Sequence, residues 1–299
     1  MLSLPPSNEA ESYDGVPLVR MPDSAEDLER LLEVLYNQPM LRLKRFDPNT
    51  PHVVKPLLTL ANKYDIQHLR KNIVHTLEED WRQTLSEWDE LEHYAEGKAK
   101  TCYRDLDQYR EPEEFPDLHL PEAASAIRLA RHCNIPSILP AAFYHLSRIT
   151  IENDWDKTHV THTNDHIPEY TELVAGARTA RWDLVTREDF VCLFLGKERM
   201  KTMVDYWGKG GNSAPSHPHP GTNKPECDYK NWLKIWGVVE RKCQQSSDVL
   251  KTLSDVDDIL TSAEKPTMCY TCDEAVTTGL DDLRNKIWDN LRNYFALPA

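Results

Sequence analysis

Glycine is scarce in this chain, 10 residues in 299, and none of them builds a phosphate loop. The stretch "GKGGNSAP" lacks the Gly-Lys-Ser/Thr ending and the preceding strand that a nucleotide cradle needs. No G-x-S-x-G elbow and no H-E-x-x-H zinc helix occurs either. Catalysis is therefore unsigned, and a non-enzymatic protein is expected. Long apolar runs are also missing: no uncharged stretch approaches the roughly 18 to 20 residues that cross a bilayer, and "MLSLPPSNEAESYDG" does not resemble a signal peptide. There is no Asn-x-Ser/Thr acceptor, and the seven cysteines are odd in number and scattered, which argues against a secreted disulfide scaffold. Cations are outnumbered, 35 against 49 acidic residues, leaving a formal charge of −14. Such a field repels phosphate, so nucleic acid is a poor partner. A cytoplasmic or nuclear protein with reduced thiols is expected.

What is present is helical periodicity. Asp14-Gly15 sets a turn beside a short strand-like piece, and Ser24 with Asp27 forms an N-cap pair. Leu28, Leu31, Leu32 and Leu35 then fall on one stripe. Val54, Leu57, Leu58 and Ala61 mark a second helix, and Ile66, Leu69, Ile73 and Leu77 a third. Thr186 and Asp189 cap a helix predicted from about residue 187 to 204. Four glycines and four prolines make Gly208 to Glu226 a linker. Beyond it, Leu280, Leu283, Ile287, Leu291 and Tyr294 or Phe295 share one face. The eight tryptophans sit mostly at helix ends or on amphipathic faces, where they pack cores or, if exposed, anchor a partner.

One phrase recurs. "LANKYDI" at Leu60 to Ile66 returns as "LARHCNI" at Leu129 to Ile135, and the register continues from Leu69 to Ile138 and from Leu77 to Leu146. Asp65 and Asn134 coincide, both residue types that tolerate the left-handed conformation or cap a following helix. The repeated unit reads as an αα-hairpin whose paired apolar positions are buried in both copies.

Together, "GVPLVRMPDSAEDLERLLEVLYN", "VVKPLLTLANKYDIQHLRKNIVHTLEEDW", "GARTARW", "LGKERM" and the Cys-x-x-Cys before a last helix ending near "FALP" resemble the BTB/POZ proteins of mushroom-forming fungi. In that pattern "LGKERM" stands as a turn closing its helix. The front half of the BTB pattern, two strands and two helices, does not precede "SLPPSNEAESYDG", as in a truncated or diverged member. The resemblance implies a mainly α fold with little strand: a partial BTB/POZ (α+β) unit followed by a helical extension. The divisions expected are a partial BTB/POZ domain over 1–96, the extension with the second hairpin over 97–207, the linker over 208–226 and a C-terminal helical segment over 227–299. Without the leading elements, Leu28, Leu35, Leu57 and Ile73 are expected to leave part of their stripes open, favouring self-association.

The strongest chemical signal is Cys269-Tyr-Thr-Cys272, because two thiolates at that spacing can share a tetrahedral Zn²⁺. Cys227 and Cys243 supply the further ligands of a candidate site, with His217 and His219 nearby. Free thiols are the competing reading, and no cofactor other than this zinc is implied. His159, His162, Asp165 and His166 form a second, weaker cluster in a polar stretch. Two functions follow. The first is a protein–protein interaction module of BTB/POZ type, an adaptor or transcription-regulatory scaffold, whose partners by resemblance include another BTB chain or a cullin-type ubiquitin ligase scaffold contacting the region of Ala25 to Asn37. The alternative is a zinc-binding regulatory or nucleic-acid-associated protein organised by the C-terminal cysteines.

Overall fold

The computed structural model describes residues 12–18, 21–36, 43–107, 115–160, 173, 175–211, 229–256 and 270–298. Within them the fold is mainly α. The only described strands are β1 (Ser12–Tyr13) and β2 (Val16–Pro17), an antiparallel hairpin. Its turn places both Asp14 and Gly15 at positive φ, the geometry that matches the right-handed twist of a two-residue hairpin.

Helix α1 (Ala25–Tyr36) starts as the Ser24 cap requires, with the Asp27 N–H donating to Ser24 Oγ. Its expected four-leucine stripe is only partly realised. Leu31 is buried and Leu28 and Leu35 rest against the core, but Leu32 is 49% exposed. The reason is that α1 leans chiefly on one neighbour, α2 (Thr50–Lys63), so a single narrow face is covered.

The doubled hairpin is present. In the first copy α2 turns at Asp65 into α3 (Gln67–Asp80); in the second α5 (Ala123–Cys133) turns at Asn134 toward α6 (Leu139–Ser147). Both corner residues have φ +54°, and in each corner the next amide closes back on the helix, Ile66 N–H to Ala61 O and Ile135 N–H to Ala130 O. Leu60, Leu69, Leu129, Ile135 and Ile138 are buried, whereas Ile66 is half-buried against the core. The copies diverge after the corner, since Pro136 and Pro140 delay the start of α6 relative to α3.

The copies also pack on each other through α2 and α5. Arg70 of the first copy donates to the Cys133 and Asn134 carbonyls that end α5 in the second. This covering corrects the expectation that Leu57 and Ile73 stand open: both are buried, Leu57 because α5 lies over α2. α6 is buried on nearly every side and becomes the central helix; the short α7 (Trp155–Val160) follows it in the chain, and α5, α8 (Arg187–Tyr206) and α12 (Leu291–Tyr294) enclose it.

α4 (Leu85–Asp107) opens with a reciprocal Thr84/Glu87 cap and runs unbroken across residues 96 and 97. α8 opens with the capping box Thr186/Asp189. The "LGKERM" turn implied by the resemblance is not a helix end: Gly196 is buried inside α8, where any Cβ would overlap the Phe295 ring. α8 runs on through a π-turn at Trp207–Gly211, so regular structure enters the first residues of the expected linker; residues 212–226 lie outside those described. α9 (Tyr229–Gln245), α10 (Val249–Ser254) and α11 (Tyr270–Asp289) follow. α11 returns to α4, where Arg284 pairs with Asp89 at 2.6 Å and Trp288 Nε1–H donates to Gln83 O. One apolar cluster runs from Leu31 to Phe295.

Candidate interaction surface

Six tryptophans, Trp81, Trp88, Trp155, Trp207, Trp236 and Trp288, are buried, which makes them packing residues rather than partner anchors. Trp81, Trp88 and Trp288 lie against the most charged part of the interior. Arg148, just after α6, donates to both Glu92 oxygens at 3.0 Å and to Asp248 at 2.6 Å, and its guanidinium lies over the Trp88 ring. Arg178 forms a second bidentate pair with Glu92, at 2.8 and 3.0 Å. Tyr144 donates to Asp248, which also caps α10. Burial alone would raise the Glu92 carboxyl; the charges of Arg148 and Arg178 outweigh it and hold the carboxyl far below its usual range. Burial, reinforced by the same two arginines, keeps His145 well below the ordinary histidine value and therefore neutral. Two cations balance two carboxylates, so the network fastens α4, α6 and α10 to the strand-like segment at 178.

The phrase "GARTARW" is the hinge pin of this arrangement. Arg178 reaches Glu92, Thr179 donates to Asp117 at 2.7 Å, and Ala180 exchanges backbone bonds with Asn153 and Trp155. Arg181 turns the other way. Its backbone N–H donates to Glu122, its guanidinium to Ser125 Oγ and Asn49 Oδ1, and its charge sits over the Trp155 ring.

Beyond Arg181 opens a concavity of about 400 Å³ between the start of α2, the outer side of α5 and the 3₁₀ turn Trp182–Leu184. Lys55, Arg128 and Arg181 line it together with His52, Asn49 and Ser125, and Leu129 and Leu184 form part of an apolar wall. Among the described residues no carboxylate lines it. Beside the turn, Trp182 stacks on Phe190 at 6.0 Å, and Phe194, one helical turn further along α8, is 67% exposed.

A third surface lies at α1. Leu32 and Tyr36, four residues apart on one face, are 49% and 84% exposed, and Tyr13, Val16 and Leu18 of the adjoining hairpin segment are exposed as well. Asp23, just before α1, is tied to α2 by Lys63 at 2.5 Å and by the Tyr64 hydroxyl. Its carboxyl is lowered chiefly by the Lys63 and Tyr64 bonds.

Among the described residues no group of three or more candidate metal ligands occurs, and of the four cysteines expected to ligate zinc only the Cys243 side chain lies within them. Cys227, Cys269, His217 and His219 lie outside the described residues, and Cys272 falls in the first turn of α11 with its side chain outside them. Cys243 is buried in α9, and burial pushes its thiol up to about 12. Of the histidine cluster, His162, Asp165 and His166 lie outside the described residues; His159 Nε2 stands 3.0 Å from Asp117 and its ring packs on Trp155. Sequence reading missed the Glu92 network because its bonded partners lie between 56 and 104 residues apart and carry no local spacing. It missed the concavity for the same reason, although the Arg-x-x-Arg pair of "GARTARW" was a visible trace of both. Among the described residues no helix is long and apolar enough to cross a membrane. No protein-family model, curated protein or solved structure matches this chain.

Proposed function

We propose that the chain is a non-enzymatic protein–protein interaction module, a BTB/POZ-type unit joined to a helical extension, serving in the cytosol or nucleus as an adaptor or regulatory scaffold. The observation that carries this reading is the α1 face. Leu32 and Tyr36 present apolar side chains to water on a helix whose opposite face is already satisfied by Leu31 and α2. Exposed apolar groups gathered on one helix face are the means by which a helix docks on a partner. The interior charges support the reading too, because Glu92, Arg148, Arg178 and Asp248 are consumed in fastening helices to one another. Partners of the kind implied are a second BTB chain or a cullin-type ligase scaffold.

Sedimentation velocity on the purified full chain, alone and mixed with such a scaffold, tests this. The expected result is concentration-dependent self-association or a shift with the scaffold, lost in a Leu32→Ser/Tyr36→Ser variant whose circular dichroism is unchanged. A wild-type chain that stays monomeric at tens of micromolar and ignores the scaffold removes the reading; that concentration is about where transient interfaces begin to fill.

A further inference from the structure

The cation-lined concavity between α2 and α5 is built for something other than the α1 face. Lys55 and Arg128 line it with side chains that make no hydrogen bond or ion pair to any described residue. Arg181 is different in kind. It is held by Ser125, Asn49 and the Trp155 ring, yet these side-chain bonds use only two of the five N–H groups a guanidinium carries, so a fixed fork with donors to spare faces the opening. Asn49 and Ser125 hold Arg181 in place, and His52 supplies a further polar rim. Three cations gathered with no carboxylate among the described lining residues, the Glu122 carboxylate lying behind Arg181 on its backbone N–H and on Ser125, are unexpected in a chain of charge −14. Each of them repels its neighbours, and that cost is relieved when an anion enters.

We propose that this concavity, with the aromatic ridge beside it, docks an acidic segment of a partner protein. Carboxylates of the segment pair with Lys55, Arg128 and Arg181, and an apolar residue of the same segment lies on Phe190 and Phe194. The ridge is what selects a peptide over a small anion. Phe194 and Val191 are 67% and 53% exposed beside the stacked Trp182 and Phe190, and a free inorganic anion has no surface to place on them. The net charge is what selects a short segment over a nucleic acid. A polyphosphate chain lies across many of the 49 acidic residues, whereas a short segment feels only the charges within the screening distance of about 8 Å at physiological salt. The proposal concerns a different face from α1 and stands or falls independently of it.

Fluorescence anisotropy on the full chain provides the test, with an array of labelled glutamate-rich peptides, each made with and without a central phenylalanine or leucine, and with lysine-for-glutamate controls. Lys55→Glu/Arg128→Glu reverses two exposed cations that hold no part of the fold, so its melting temperature should stay near that of the wild type. The expected result is binding of the aromatic acidic peptides, weakened at least about tenfold by that variant and by raised salt, and weakened about threefold by Phe194→Ser. Inorganic phosphate should compete only at concentrations far above the peptide. Equal binding to the charge-reversed variant, absence of binding to any acidic peptide, indifference to Phe194→Ser, or displacement by phosphate at peptide-like concentration would each overturn the proposal.

Discussion

Asp80 shows how a single carboxylate can be needed and costly at once. It ends α3, where the helix already presents carbonyl oxygens, and it accepts the backbone N–H of Phe46 at 3.1 Å. That bond steadies Phe46, a bulky residue held at φ +60° with its ring buried. Burial pushes the Asp80 carboxyl up to about 6, with the Phe46 amide and the charges of Arg45 and Arg82 opposing only in part. The folded chain therefore holds this proton more tightly than the unfolded chain, whose aspartate titrates near 3.9. Stability from the protonated form is complete below about pH 4 and is lost as pH rises through 6, above which the charged group is a fixed cost. Asp80→Asn keeps an acceptor for Phe46 and removes the charge. It is expected to stabilise the protein by about 2 kcal/mol at pH 7.5, with the gain shrinking below pH 6 and gone near pH 4. Urea unfolding of both proteins at several pH values reads this directly, and a gain independent of pH would contradict it.

At the scale of the element, the two hairpin corners carry a matched prediction. Asp65 and Asn134 occupy the left-handed region at the same φ, a conformation that crowds any Cβ against the following carbonyl, is tolerated by Asn and Asp through local hydrogen bonding, and is free to glycine. Asn134→Ala is expected to cost about 1 kcal/mol and Asn134→Gly close to nothing, with thermal melts as the measurement. Equal losses from both would mean that the Asn134 side chain, and not the backbone, holds the corner. Much of this level was legible beforehand. A helix stripe repeats every three to four residues, so apolar spacing locates α2 and α3, the Thr186/Asp189 cap pair locates α8, and the recurrence of one corner locates α5 and the second hairpin. Leu32 was misplaced because spacing identifies which residues share a face and not how wide a neighbour covers it. The resemblance implies a turn at Gly196, against the helix that capping predicts from 187 to 204; the role of this glycine inside the helix, making room for the Phe295 ring from 99 residues away, has no local trace.

At the scale of the whole molecule, the Glu92 network decides how the helices are joined. One carboxylate serves two buried guanidinium groups, so replacing it leaves Arg178 uncompensated in the interior and Arg148 with Asp248 alone, which is far worse than never having built the pair. Glu92→Gln is expected to destabilise by about 3 to 5 kcal/mol in urea unfolding. Loss of 1 kcal/mol or less would show that water reaches the site and screens it, as at a surface ion pair. The adjoining concavity of about 240 Å³, rimmed by Glu96 paired with Lys251 and Asp89 paired with Arg284, is the side from which such water would enter.

The sequence by itself determined what depends on neighbours along the chain: the helical class, most helix stripes, the capping box at Thr186 and Asp189, the Asp14-Gly15 turn and the doubled corner. Each is settled within a few residues by sterics, hydrogen-bond closure and the period of the helix. Only the tertiary structure decided which charges meet. Glu92 with Arg148 and Arg178, and Lys55 with Arg128 and Arg181, come from segments that share no spacing. Whether a charge is buried in a pair or left facing a concavity depends on how α2, α4, α5 and α6 stack, and stacking is set by the fit of side chains across helices far apart in the chain.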